Sequence, residues 1–233
     1  MINRKTSLRI RKVHRYLGIF LGLQFLMWTI SGLYFSWTDI DEIHGDHFKK
    51  IREPKVFSDL KGLGDFGEAV YSLELREIAD EPYFWVNDSQ LIHATSGVLK
   101  SSITAEEALA VAKKNMRDDL KVSAINLLEE ADEHHEYRGK SLPAYVISYD
   151  SSEQITAYVA LRDGSFQTVR HRDWRWFDFL WMTHTMDYET RDNFNTTLLR
   201  AFSLLGLITV MSGFLLWAVS SPTLRKLKKN KKK

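Results

Sequence analysis

The run YLGIFLGLQFLMWTISGLYFSW, residues 16–37, decides the reading of this chain. Its 22 residues contain no Asp, Glu, Lys or Arg. At about 1.5 Å of rise per residue it covers roughly 33 Å as a helix, enough to cross a hydrocarbon core of about 30 Å. A cleaved leader would carry a shorter apolar run, of ~7–15 residues, with a small-residue cleavage site behind it. A second uncharged run, AFSLLGLITVMSGFLLWAV, fills 201–219 with 19 residues. Thr196-Thr197 offers it a cap, and Ser220-Ser221-Pro222 stops it because proline cannot continue a helix.

Charge is distributed around these runs in a way that the net value of +2 conceals. Residues 1–15 hold six Lys and Arg and no acid, and residues 220–233 hold seven and no acid. Of 32 basic residues 19 are left for 38–200, against all 30 acidic ones, a net of −11 there. Short basic flanks beside apolar spans predict both termini on the cytoplasmic side and 38–200 outside. The basic residues adjoin the apolar runs and form no folded basic face, so nucleic acid is excluded as a partner. With no Cys in the chain, thiol nucleophiles, disulfides, thiolate zinc and iron–sulfur ligation are excluded. H-E-x-x-H, G-x-S-x-G, Walker and G-x-G-x-x-G motifs are missing too, which removes the common hydrolase, kinase and nucleotide-dependent dehydrogenase readings.

The outer segment alternates like strands. AVYSLELREI (69–78), PYFWVN (82–87) and QLIHAT (90–95) are β-rich, with Ser96-Gly97 as a turn before VLKS. Thr104 opens TAEEALAVAKKNM, with Glu107 three residues on as its capping-box partner. KVSAINLLEE (121–130), PAYVISYD (143–150) and QITAYVAL (154–161) follow, and Asp163-Gly164 turns into SFQTVR (165–170). Strands, a helix, then strands predict an α+β domain with antiparallel sheet, in two half-repeats at about 68–118 and 119–172. DWRWFDFLWMTHTMDY begins at Asp173 and puts Phe177, Leu180, Trp181 and His184 on one face. Its aromatics predict an interfacial helix over 173–190, lying on the outer membrane surface.

Five stretches carry a resemblance to known families. ITAEEALAVAK after a Gly-terminated strand, then AYVISYD and ITAYVALRDGSFQTV, resemble the PepSY domain. RKVHRYLGIFLGLQFLMWTISGLYFSW and LLRAFSLLGLITVMSGFLLW resemble the PepSY-associated transmembrane family, including the H-R-Y-L-G entry and the Ser-Gly near the end of each span. The resemblance implies a bacterial inner-membrane, multi-pass protein: two transmembrane helices flanking a periplasmic PepSY-like antiparallel-sheet domain. Some relatives in it are membrane ferrisiderophore reductases with histidine-ligated haem b. That implies haem-dependent electron transfer to a ferric-siderophore-like or other periplasmic acceptor in iron uptake. It also implies an alternative: a non-enzymatic anchored module that binds or regulates a protease or uptake complex.

Histidine is the one residue type here suited to such a cofactor. His14 stands at the mouth of the first span with Gly18 and Gly22 four and eight residues on, along one face. It matches the histidine at the relatives' span entrance, and it reads equally well as an interfacial polar anchor. Trp37, Ile40 and His44 share a face if the first helix continues, with His47 a further turn on. His184 matches the relatives' second-half histidine. His44 and His184 would then be an axial pair for one haem iron at the outer leaflet, or two histidines bound to water and lipid headgroups. His14 and His44 lie about 45 Å apart on a continuous helix and cannot share an iron. A haem on His14 would need its other ligand from a second chain, so a homo-oligomer or another membrane redox or uptake protein is the expected partner, with the bilayer itself.

Asp41, His44, Asp46 and His47 form a weaker cation cluster, read first as a solvated helix end. Glu133-His134-His135-Glu136 reads as a solvated hairpin tip. The spans hold no ionisable residue, which speaks against a proton or solute path through them. Any electron donor would be another protein or a quinol.

Overall fold

The computed structural model describes residues 4–51, 55–64, 67 and 69–221. Residues 1–3 and 222–233 of the expected basic flanks, and residue 68 at the start of the first half-repeat, lie outside the described residues. The chain divides into two compact units, one from 1–37 and 179–233, the other from 38–178.

The first unit is built on two long helices. α1 runs without a break over Arg4–Trp37, 34 residues, so the basic segment is already helical before the apolar run begins. Arg and Lys are good helix formers and their heads reach back to water, so nothing interrupts the helix there. A second long helix covers Thr197–Ser220, 24 residues; Thr196 caps it, its hydroxyl accepting from the Leu199 N–H at 3.1 Å. Leu8–Trp37 and Thr197–Ala218 are long and apolar enough to cross a membrane, and only 11% of the most apolar window of each is buried within the protein. A core helix of that composition would hide its apolar face from the surroundings.

The two helices pack antiparallel: the rings of Phe20 and Phe202 stack at 5.7 Å, while His14 near the start of α1 meets Ser212 near the far end of the other helix. Close approach is made by the second helix's glycines. A Cβ on Gly206 would stand 3.2 Å from the Phe25 ring, and one on Gly213 3.4 Å from His14 Cε1. At Gly18, Gly22 and Gly32 an added Cβ would meet nothing within 4 Å. The G-x-x-x-G face of α1 therefore does not make the contact within the chain.

In the second unit, Asp39 ends the continuity that the sequence suggested. Its carboxylate accepts from Asp41 N–H at 2.9 Å and caps a separate short helix, α2, Ile40–Ile43, followed by a 3-10 turn at Asp46–Phe48. Two four-stranded antiparallel sheets follow, each a meander. The first orders β1 (Leu73–Ile78), β2 (Glu81–Val86), β3 (Gln90–His93) and β4 (Leu99–Lys100). The second orders β5 (Val122–Leu128), β6 (Ala144–Tyr149), β7 (Thr156–Ala160) and β8 (Phe166–Arg170). Between them in sequence lies α3, Ala105–Asn115, opened by the reciprocal Thr104–Glu107 capping box. The α+β class with antiparallel sheet holds as the sequence suggested.

The core joins both sheets to the apolar face of α3. Ile78, Tyr83, Trp85 and Leu91 meet Ile147, Ile155, Val159 and Val169, with Ala108, Val111, Ala112 and Met116 between. Burying each large apolar side chain contributes about 1.5–3 kcal/mol. Gly164 turns between β7 and β8 at φ +65°, and an added Cβ would stand 2.7 Å from Ile78 Cδ1, so both backbone and space demand glycine. The second unit then runs into α4, Arg172–Thr185, 14 residues; the fifth helix, Thr197–Ser220, is α5.

Candidate functional site

α4 stops at Thr185, short of the expected 190. Met186 takes the left-handed conformation at φ 54°, and the buried Asp187 carboxylate collects the N–H groups of Glu189, Thr190 and Asn193 at 2.8–3.3 Å. Two of the last α4 carbonyls are satisfied by side chains of α1. Trp28 Nε1 donates to the His184 carbonyl at 2.8 Å and Gln24 Nε2 to that of Thr183 at 3.2 Å. Neither carbonyl has a partner within its own helix, and an apolar setting makes such a loss costly.

That docking sets the His184 ring against α1. Its Nδ1 lies 2.7 Å from Ser31 Oγ, and its ring meets Phe35 edge-on at 5.6 Å, where Trp181 also packs on Phe35 at 5.7 Å. Ser31 is fully buried. Counting along α1, Ser31 lies about 9 Å before the helix end at Trp37.

His14 makes a similar pair, with the imidazole on α1 and the serine on α5. Its Nδ1 lies 2.7 Å from Ser212 Oγ on α5, with Gly213 leaving room beside its Cε1. Val13, Tyr16 and Phe20 are exposed along the same stretch of α1. Neither His14 Nε2 nor His184 Nε2 meets a hydrogen-bond partner among the described residues. Seventeen residues of α1, about 25 Å of axis, separate His14 from Ser31, so the two imidazoles define two places and not one.

The remaining expected ligands are arranged differently. His44 is the exposed C-cap of α2, its backbone N–H bonded to the Ile40 carbonyl at 2.9 Å. The exposed His47 lies against the Phe48 ring at 3.8 Å, and Asp46 pairs with Lys49 at 2.5 Å. Among the described residues no three His, Asp or Glu groups converge to hold a metal ion, so the Asp41, His44, Asp46, His47 cluster is not assembled. The cause is local: Asp39 and Gly45 (φ 76°) turn the chain at each end of α2, and the four side chains leave one helical face.

The segment Glu133–Glu136 is only partly the solvated tip expected. Glu133 and His134 are exposed, but Glu136 turns inward. Its carboxylate accepts from the Tyr158 hydroxyl at 2.7 Å and from Arg175 Nε at 2.6 Å and Nη2 at 3.0 Å. Tyr137, fully buried, stacks on Tyr158 at 4.5 Å. Arg138 pairs with the buried Asp178 at 2.6 Å, and Arg170 lies 4.0 Å over the Trp174 ring. The Arg175–Glu136 and Arg138–Asp178 pairs clamp the segment that holds Glu136 and Arg138.

The sequence reading passed over His171. It is 2% exposed, and its Nε2–H donates to the carbonyls of Glu42 and Ile43 at 3.1 Å each, tying α2 to the end of β8. Burial pushes its pKa below the ordinary 6.5, with the nearby His47 adding to that and the two carbonyls opposing it. The passed-over partners of the other histidines, Ser31 and Ser212, did have a signal: each heads a Ser-Gly pair late in a span. No protein-family model, curated protein or solved structure matches this chain.

Proposed function

We propose that this chain is a bacterial inner-membrane protein of the PepSY-associated type that carries haem b and passes electrons outward across the bilayer. Both long helices cross the membrane in this reading, with the termini cytoplasmic and the two-sheet unit periplasmic. One observation supports it above the others. His14 on α1 and His184 on α4 each have Nδ1 engaged by a serine of a long helix, and Nε2 meets no partner among the described residues.

The donor set fits the group. A neutral imidazole nitrogen would be a good ligand to haem iron, and a ring fixed through its other nitrogen would be held ready to bind it. Aromatic rings at Phe35, Trp181 and Trp28 surround the His184 end and would keep water from it. Haem, when bound, supplies one-electron redox chemistry. The chain's own part is to hold two ligands about 25 Å apart, one toward each face. With one span-facing histidine at each level, the second ligand would come from a second copy or from another membrane redox or uptake protein. The acceptor is a ferric chelate or a similar periplasmic oxidant, and the donor a quinol or protein.

The test is the visible spectrum of detergent-purified protein from haem-replete cells. A reducible Soret and α-band pair is expected, with the outer centre lost in His184→Ala. A colourless, fully folded preparation overturns the reading.

A second reading has its own observation. Leu75, Phe84, Ile92 and Leu99 lie in register across all four strands of the first sheet, and Leu75 and Leu99 at the ends are exposed. An apolar row open at both edges suits a module that receives a partner protein. Folded colourless protein that co-purifies with a periplasmic partner would favour it.

A further inference from the structure

We propose that Ser31 and Ser212 are positioning residues that lock His184 and His14 in the Nδ1–H tautomer and so reserve Nε2 as a bare lone pair; this rests on the haem reading for its purpose but not for its chemistry. A serine hydroxyl has one proton. Ser31 Oγ lies 2.7 Å from the Met27 carbonyl and 3.3 Å from that of Trp28, and carbonyls only accept, so the proton points to them. The same oxygen is 2.7 Å from His184 Nδ1. Two acceptors facing each other at that distance would repel, so the proton between Ser31 and His184 belongs to the imidazole.

Ser212 repeats the arrangement. Its hydroxyl donates to the Thr209 carbonyl at 2.7 Å and therefore accepts from His14 Nδ1–H, also at 2.7 Å. A neutral imidazole carries one N–H, so Nε2 is unprotonated in both rings. Helix geometry makes the device rigid. A serine whose proton is held by a carbonyl one turn back cannot rotate to donate forward without giving up that bond, and no water is at hand in an apolar span to replace it. The nitrogen left free is the one farther from the backbone, and so able to reach past the helix surface.

Removing the hydroxyl leaves the imidazole in place but frees the tautomer. An iron ligand whose Nδ1–H is no longer hydrogen-bonded is a weaker donor, which destabilises the oxidised state and raises the reduction potential.

The experiment uses the full chain, ¹⁵N-labelled at histidine, in lipid nanodiscs without haem. Two of the eight histidines should show protonated Nδ1 and pyridine-like Nε2, assigned by their loss in His14→Ala and His184→Ala. Ser31→Ala should move the His184 resonances to the other tautomer or to a mixture, Ser212→Ala should do the same for His14, and Ser→Thr at either place should restore the locked pattern. Tautomers unchanged by the Ala variants overturn the proposal, whatever the spectrum shows. A tautomer change in protein that never takes up haem upholds the lock and overturns only the haem reading. In loaded protein, Ser31→Ala should keep haem stoichiometry and raise the midpoint potential, a shift that a purely structural serine would not produce.

Discussion

Acidification should weaken the second unit through His171. The ring is buried, its Nε2–H already serves two carbonyls, and Nδ1 has no partner among the described residues, so a second proton there would sit in an apolar site unsolvated. The folded form therefore binds a proton more weakly than the unfolded chain, whose histidine titrates near 6.5. A group with a depressed folded pKa of this kind stabilises the fold fully above the unfolded value and loses that contribution as pH falls below it. While the folded ring stays neutral, the loss grows by about 1.4 kcal/mol per pH unit below about 6.5, or roughly 2 kcal/mol by pH 5. The groups facing it are His47, which repels the added charge, and Asp173, which attracts it. Guanidinium titrations of the full chain in micelles, followed by the far-ultraviolet circular dichroism of the sheets, measure this directly. His171→Gln keeps a donor for the two carbonyls and removes the titration. The stability gap between wild type and His171→Gln should shrink by up to about 2 kcal/mol between pH 7.5 and 5. Parallel curves for the two proteins would refute the argument.

Glu136→Ala should cost the second unit about 2–4 kcal/mol, since it strands the buried Tyr158 hydroxyl and unpairs Arg175, and Glu136→Gln should cost less; the same titrations read both. Gly206→Leu should push α5 off α1 at Phe25, whereas Gly18→Leu should not. Because the chain has no native cysteine, a Cys pair replacing Phe20 and Phe202 reports this as a several-fold loss of crosslinking with a short bismaleimide. A reporter active only in the cytoplasm should be silent when inserted at residue 120 and active at the C-terminus; the reverse pattern inverts the proposed topology.

What could be read from the sequence was local. The two long apolar helices are legible because 16–37 and 201–219 have no charge, and the capping box at Thr104 and Glu107 was legible because both partners lie within one turn. The hairpins followed from alternation and from turn residues such as Asp163-Gly164. The features that escaped depend on partners far along the chain. Glu136 turns inward because Arg175 and Tyr158 await it, and α4 ends at Thr185 with carbonyls held by Gln24 and Trp28. The helix break at Thr38 escaped for a different reason: Trp37, Ile40 and His44 keep a helical spacing, and only the Asp39 cap reveals the new start.

The strongest argument for a role beyond anchoring is the repetition at the two ends of the helix pair. A hydroxyl and an imidazole are expensive in an apolar span, and bland packing would have been met by alanine and leucine. Yet Ser31 on α1 receives His184, and Ser212 on α5 receives His14, with Nδ1 to Oγ at 2.7 Å in both. One such pair could be glue between helices, since interhelical hydrogen bonds contribute on the order of 0.6–2 kcal/mol in membranes. Glue needs no preferred nitrogen. Two pairs that both leave Nε2 without a partner among the described residues share a direction that adhesion does not require and that a ligand on each imidazole does.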